Sequence, residues 1–93
     1  MLEISTEERE KILGNVFSSR DPLIMKVYSS KFKKKIVALE EISRLFEKDK
    51  KYTEKEINEL LQGVYPDFVT LRRDLIEQKI LAREKDGSAY WCL

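Results

Sequence analysis

The last part of the chain, residues 67–93 with the sequence DFVTLRRDLIEQKILAREKDGSAYWCL, carries the clearest signals of a fold. Near its end lies the pair Asp86-Gly87. This pair is typical of a two-residue hairpin turn, because a type I′ turn needs a positive φ at both central residues. A turn at this pair sets the register of the two flanking strands. The predicted pairs are Lys85 with Ser88, Arg83 with Tyr90, and Leu81 with Cys92.

Strand alternation divides this hairpin into two faces. One face carries mostly apolar side chains, namely Ile80, Ala82, Glu84, Ala89, Trp91 and Leu93. The other face carries Leu81, Arg83, Lys85, Ser88, Tyr90 and Cys92. Because the first face is the more apolar, we expect it to pack on the helices, with Trp91 buried against the helix of Leu71 and Leu75. Tyr90 should then point outward, among the basic residues of the second face.

Three helices are predicted between residue 31 and the hairpin. Asp67 is suited to cap a helix that runs over residues 68–79. Thr53 and Glu56 have the spacing of a capping box, which starts a shorter helix before it. A longer helix over residues 31–47 is predicted from apolar residues at three- and four-residue steps. Its expected buried stripe consists of Phe32, Ile36, Leu39, Ile42, Leu45 and Phe46.

Residues 1–30 are predicted to add an N-terminal helix and a connector. The helix starts near Ser5 and carries an apolar face of Ile12, Leu13, Val16 and Phe17. Pro22 ends it, because a proline disfavours helical geometry at the residue before it. Residues 23–30 are expected to form a short helical turn or connector.

The order of these elements predicts the fold. Two helices, a turn, a third helix and a hairpin are the parts of a winged helix-turn-helix, which we expect over residues 31–93. With the extra N-terminal helix, the predicted class is mainly α with a C-terminal β-hairpin, an α+β fold. A chain of 93 residues suits one compact domain.

The composition excludes several classes of function. The chain has no histidine and one cysteine, Cys92, so a His/Cys zinc cluster and Ser–His or Cys–His catalysis are excluded. No apolar run approaches the roughly 18 residues of a membrane span, and no leader precedes the first amphipathic segment. We therefore expect a cytoplasmic protein that is not an enzyme, with no metal or cofactor and no membrane partner.

Basic side chains mark the candidate contacts for nucleic acid. At about 100° per residue, Arg73 falls outside the apolar stripe of its helix, together with Thr70. Residues 20–35 form a basic segment with a net charge of +5, which either grips phosphate or forms a solubilising face. The predicted contacts to double-stranded DNA are Thr70 and Arg73 in the helix, Arg83 and Lys85 in the wing, and Lys33 and Lys34 in the basic segment.

Five other residues are predicted to have structural roles. Arg72 falls inside the apolar stripe, so we expect a core-edge arginine paired with a carboxylate, with Glu56 as the first choice. Tyr52 and Trp91 are expected in the core, although an aromatic stacking platform for single strands is the alternative. Asp67 is expected to act as a helix cap.

The charge of the C-terminal half favours a second function. Residues 52–93 contain six basic and eight acidic side chains, a net charge of −2. Duplex binding depends on several phosphate contacts, so this balance opposes it. The alternative is a winged-helix module for protein–protein interaction or dimerisation, with a regulatory protein or a second copy as its partner.

Four motifs resemble a known bacterial family, the domain of unknown function 2087. The matching stretches are Lys33-Lys34-Lys35, Tyr52 to Asn58, Leu71-Arg72-Arg73-Asp74-Leu75, and Asp86 to Trp91. They span about two-thirds of the chain. Members of this family are often labelled as transcriptional regulators, which implies a DNA-associated role. Some are similar domains attached to a separate helix-turn-helix, and that arrangement implies a partner or sensing role.

A second resemblance is local. Thr70-Leu71-Arg72-Arg73-Asp74-Leu75, followed by Ile80 to Arg83, is similar to the recognition helix and wing of sugar-responsive repressors of the DeoR type. This resemblance implies that the helix of Arg73 would be the one that reads DNA.

Overall fold

The structure, a computed structural model, describes residues 3–93, so Met1 and Leu2 of the predicted N-terminal segment lie outside the described residues. These residues form four helices and five short strands in two antiparallel sheets. The elements are α1 (Thr6–Val16), β1 (Phe17–Arg20), β2 (Leu23–Met25), α2 (Phe32–Ser43), β3 (Lys51–Tyr52), α3 (Glu54–Gln62), α4 (Phe68–Glu77), β4 (Leu81–Arg83) and β5 (Tyr90–Cys92). The predicted α+β class is confirmed, and the order from α2 to β5 is compatible with a winged helix-turn-helix.

The predicted helix starts at Ser5, Thr53 and Asp67 are confirmed, because each of these residues caps its helix with a side-chain oxygen. At α3 the capping box is complete. Thr53 Oγ1 accepts the Glu56 N–H at 3.1 Å, and Glu56 Oε1 accepts the Thr53 N–H at 2.9 Å. At α4, Asp67 accepts the Thr70 N–H at 3.3 Å. These bonds satisfy amide groups that the first helical turn leaves without partners.

The N-terminal connector differs from the prediction. Residues 17–25 form the antiparallel hairpin β1–β2, with Phe17 opposite Met25, and the predicted helical turn after Pro22 is wrong. Leu23 and Met25 are buried whereas Ile24 between them is exposed, and only an extended strand alternates its side chains in this way. The Met25 N–H donates to the Val64 carbonyl at 2.9 Å, so the hairpin is tied to the turn between α3 and α4.

Helix α2 is shorter than predicted, and its stripe is wrong at Phe32 and Leu45, while Ile36 is only half-buried. Phe32 is 55% exposed at the start of the helix. After Ser43 the chain tightens into a turn, in which the Leu45 N–H donates to the Ile42 carbonyl at 3.0 Å. This turn points Leu45 outward and places Phe46 in the core. The buried face of α2 consists of Val37, Ala38, Leu39 and Ile42.

One hydrophobic core joins all four helices and both sheets. Helix α1 contributes Ile12, Leu13 and Val16 of its predicted apolar face, whereas Phe17 is buried as the first residue of β1. Helices α2, α3 and α4 cover this face with aliphatic side chains that are almost fully buried. Phe46 and Tyr52 pack edge to face, with ring centroids 5.5 Å apart. In the part of the chain that is described, no helix combines the length and the apolar character that a membrane crossing requires.

The C-terminal sheet has the strand order β3-β5-β4. The register predicted from Asp86-Gly87 is confirmed, with Leu81 opposite Cys92, Ala82 opposite Trp91, and Arg83 opposite Tyr90. The predicted type I′ turn is wrong. Gly87 has a φ of +76°, whereas Asp86 has no positive φ, and the Gly87 N–H donates to the Glu84 carbonyl at 3.0 Å. Lys85 and Asp86 are therefore the central residues of the turn.

The predicted packing of the hairpin faces is also wrong. Leu81 and Tyr90 are each 1% exposed and lie in the core. Trp91 is half-buried on the opposite face, where β3 aligns Lys51 with it, so Trp91 does not pack on α4. The path of the chain after α4 explains the difference. The Ile80 N–H caps α4, so β4 begins at Leu81, and Leu81 is the first side chain of the strand to point into the core.

The cap that ends α4 leads to a first prediction. Lys79 has a φ of +59°, and the Ile80 N–H donates to the Leu75 carbonyl at 2.9 Å, as in a Schellman motif. Lys79→Gly should raise the free energy of unfolding by about 0.5–1 kcal/mol, since glycine relieves the left-handed strain at some entropic cost. Urea unfolding measures the effect. Gln78→Gly, at a residue with a negative φ, is the control and should lower stability.

Candidate nucleic-acid interface

A groove with a volume of about 310 Å³ lies between α4 and the β4–β5 hairpin. Three of its lining residues are arginines from these two elements. The lining consists of Val69, Arg72, Arg73, Ile76, Glu77, Arg83 and Tyr90. We call it the arginine groove. Its lining residues come from one side of α4 and from β4 and β5, the strands that follow this helix.

Two side chains of α3 bind Arg72. Its side chain is 20% exposed, and its Nη1 atom donates to Asn58 Oδ1 and lies 3.3 Å from Glu54 Oε1. The predicted partner, Glu56, is wrong because its carboxylate closes the capping box with Thr53. Hydrogen bonds from Thr53 also hold the pKa of Glu56 below its ordinary value. The carboxylate that pairs with Arg72 comes from the first residue of α3 instead.

Tyr90 completes the floor of the groove. Its hydroxyl donates to the same oxygen, Glu54 Oε1, at 3.4 Å. At the tip of the wing, a Cβ atom on Gly87 would lie 3.8 Å from Arg83 Nη1 and 4.0 Å from the Tyr90 hydroxyl. The guanidinium of Arg83 and the hydroxyl of Tyr90 therefore approach the same point beside the glycine.

Arg73 and Arg83, two of the predicted contacts, line the groove together. The Arg73 side chain is 67% exposed, and its nearest carboxylate oxygen is Asp74 Oδ1 at 4.0 Å from Nε. Arg83 is exposed, and among residues 3–93 it forms no ion pair within 4 Å. Two guanidinium groups are thus available to an anion in the groove.

The structure places the other predicted contacts elsewhere. The Thr70 hydroxyl donates to the capping carboxylate of Asp67 at 2.8 Å. Lys85 lines a separate cleft at the turn of the wing, together with Lys51. Lys33 Nζ lies 2.9 Å from Glu8 Oε2 of α1. Neither Lys33 nor Lys34 lines the arginine groove.

A buried cluster behind α4 was not predicted from the sequence. Asp74 is 5% exposed, and it accepts a hydrogen bond from the Tyr28 hydroxyl at 2.6 Å. Lys35 Nζ lies 3.8 Å from the same carboxylate oxygen. Burial, followed by the hydrogen bond to Asp74, raises the pKa of Tyr28 far above its ordinary value. Helical spacing was the available signal, because Asp74 lies three residues after the buried Leu71.

The remaining aromatic residues of the sheet lie on opposite sides. Tyr52 is buried, and its hydroxyl oxygen accepts the Glu47 N–H at 2.8 Å. Trp91 lies on the outer face, where Lys51 Nζ is 5.4 Å from its ring centroid. Neither ring reaches the arginine groove, so the groove offers guanidinium groups and the Tyr90 hydroxyl as its polar donors.

Comparison with known proteins places the chain in a family. The chain matches no curated protein and no solved structure. A family model described as an uncharacterized protein conserved in bacteria (DUF2087) matches residues 24–92. This range includes α2 to β5 and therefore every residue that lines the arginine groove. The chain belongs to the DUF2087 family.

Proposed function

We propose that this domain binds double-stranded DNA through the arginine groove and acts as a cytoplasmic transcription-regulatory module. The observation that carries the proposal is the convergence of Arg73 from α4 and Arg83 from the wing on one groove. Guanidinium groups bind phosphate with two parallel hydrogen bonds, which makes arginine the preferred partner of a nucleic-acid backbone.

The position of α4 supports this proposal. It follows α3 after a short turn, and its exposed side carries Val69 and Arg73. In a helix-turn-helix the second helix enters the major groove while neighbouring elements contact the backbone. Arg73 then contacts phosphate or a base edge, and Arg83 contacts the adjoining backbone from the wing.

The acidic balance of the C-terminal half limits the affinity rather than the location of binding. Some carboxylates in this half are already engaged in ion pairs or helix caps, as Glu56 is with Thr53. Glu77 is the one acidic residue that lines the arginine groove, against three arginines. Because Glu54 pairs with Arg72, the charges that remain in the groove are those of Arg73, Arg83 and Glu77, and their sum is positive although residues 52–93 carry a net charge of −2.

Fluorescence anisotropy with a labelled random duplex in about 50 mM salt tests the proposal. Arg73→Gln and Arg83→Gln should each weaken binding about tenfold. Each should also make the negative slope of log K against log salt shallower by about one. Lys48→Gln removes an equal charge from an exposed site outside the groove and should change the affinity far less. Absence of binding at tens of micromolar, with a folded protein by circular dichroism, would end the proposal.

A second candidate function follows from the outer face of the sheet. Trp91 is half-buried there beside Ala82, and Leu93 is exposed. An apolar face of this kind suits a protein partner better than a phosphate backbone. If it forms a homodimer, light scattering should show a concentration-dependent rise in mass that Trp91→Arg abolishes. A strict monomer at high micromolar concentration would exclude that form of the candidate.

A further inference from the structure

Two residues that line the arginine groove, Arg72 and Tyr90, bind one carboxylate oxygen of Glu54. Glu54 Oε1 lies 3.3 Å from Arg72 Nη1 and accepts the Tyr90 hydroxyl at 3.4 Å. A guanidinium and a phenol converging on one negatively charged oxygen are the donor set of an oxyanion site. The chain therefore fills, with its own carboxylate, the place that an external oxyanion would take.

We infer that Glu54 masks a phosphate site. A phosphate oxygen of the ligand displaces the carboxylate, and Arg72 and Tyr90 then join Arg73 and Arg83 in binding it. The inference rests on the proposed function for the source of the phosphate, which is the nucleic-acid backbone. It adds that one of the three arginines is withheld until the ligand arrives.

The Glu54 side chain can be displaced from Arg72 by a ligand because it lies at the surface. It is 52% exposed and belongs to the first residue of α3, so its carboxylate moves into water when Arg72 is released. Exchange of one anion for another keeps the guanidinium paired, so the buried part of Arg72 is never left without an acceptor.

Arg72 itself stays in place when Glu54 leaves. Its Nη1 atom also donates to Asn58 Oδ1, one turn further along α3. Asn58 is neutral, so it orients the guanidinium without cancelling its charge. The site is thus preorganised, and a ligand phosphate meets a fixed donor rather than a mobile side chain.

The test compares two substitutions that remove the same charge. Glu54→Gln should tighten binding of a labelled duplex about tenfold and steepen the slope of log K against log salt by about one, because Arg72 gains a phosphate contact. Glu77→Gln also removes a carboxylate from the groove, but this carboxylate does not hold Arg72. It should tighten binding by less than about threefold and leave the slope unchanged.

A third variant separates masking from charge. Glu54→Asp keeps the charge, but its side chain is one methylene shorter and cannot hold Arg72 at the same distance. It should shift affinity in the same direction as Glu54→Gln. Circular dichroism checks that each variant is folded, and the Arg72 Nε–H resonance reports directly whether this side chain meets the ligand.

Inorganic pyrophosphate is the second probe and distinguishes the sources of phosphate. A shift of the Arg72 resonance with pyrophosphate in Glu54→Gln, without duplex binding, would support the masked site and overturn the DNA proposal. Duplex binding with equal responses of Glu54→Gln and Glu77→Gln would overturn masking and leave DNA binding intact. If no variant binds either probe, both proposals fail.

Discussion

Tyr90→Ala is expected to lower the free energy of unfolding by about 3–5 kcal/mol, whereas Trp91→Ala should lower it by about 1–2 kcal/mol. Tyr90 is fully buried in the central strand of the sheet, so truncation leaves a cavity lined by core residues. The Trp91 ring lies on the outer face, where its neighbours include Lys51 and Ala82. The larger side chain thus contributes less because it is packed on one side only.

Urea unfolding followed by circular dichroism measures both variants. A domain of this length has a total stability on the order of 5–14 kcal/mol, so Tyr90→Ala removes a large fraction of it. Tyr90→Phe is the control, because it keeps the ring and loses only the bond to Glu54, at a cost of about 1 kcal/mol. A larger loss for Trp91→Ala than for Tyr90→Ala would contradict the packing of the hairpin described above.

The hairpin shows which part of the fold was predictable. Asp86-Gly87 placed the turn, and pairing at a fixed distance from it gave the observed register. Period-two alternation then gave two faces but did not say which one meets the helices. That choice depends on the direction in which the chain leaves α4 through Lys79. A left-handed residue that is not glycine gives no local signal of this direction.

Short strands were the other gap in the prediction. Strand β3 has two residues, Lys51 and Tyr52, and it forms only because β5 provides a partner. Strands β1 and β2 follow directly on α1, and Phe17 fits the helical stripe as well as it fits the first strand position. In both cases tertiary pairing decides between helix, loop and strand, and a local pattern does not contain that information.

The candidate site was predictable to the extent that it depends on helical phase. The outward position of Arg73 and the inward position of Arg72 follow from the period of α4. The partner of Arg72 was assigned wrongly to Glu56, although a capping box already engages that carboxylate. Glu54 was then the carboxylate in the first turn of α3 that the capping box does not engage. The contact between Tyr28 and Asp74 joins residues 46 positions apart and could not be found without the fold.

That contact carries the second large expected effect. Tyr28→Phe should lower the free energy of unfolding by about 2–3 kcal/mol, because a buried charged acceptor loses its closest donor. Lys35 Nζ is farther away, at 3.8 Å, and replaces the 2.6 Å hydrogen bond only in part. Tyr65→Phe is the control, since its ring packs 6.3 Å from that of Tyr28 and loses the same atom. It should change stability by less than about 0.5 kcal/mol.

A double substitution tests whether the loss in Tyr28→Phe arises from the hydrogen bond to Asp74. If the loss of stability in Tyr28→Phe comes from an unsatisfied carboxylate at Asp74, then adding Asp74→Leu removes that carboxylate and recovers part of the stability. Replacement of both polar partners by apolar side chains of similar size is often nearly neutral, so Tyr28→Phe/Asp74→Leu should be more stable than Tyr28→Phe alone by at least about 1 kcal/mol. Losses that simply add, measured by urea unfolding of the four proteins of the cycle, would show that the effect of the Tyr28 hydroxyl does not depend on Asp74.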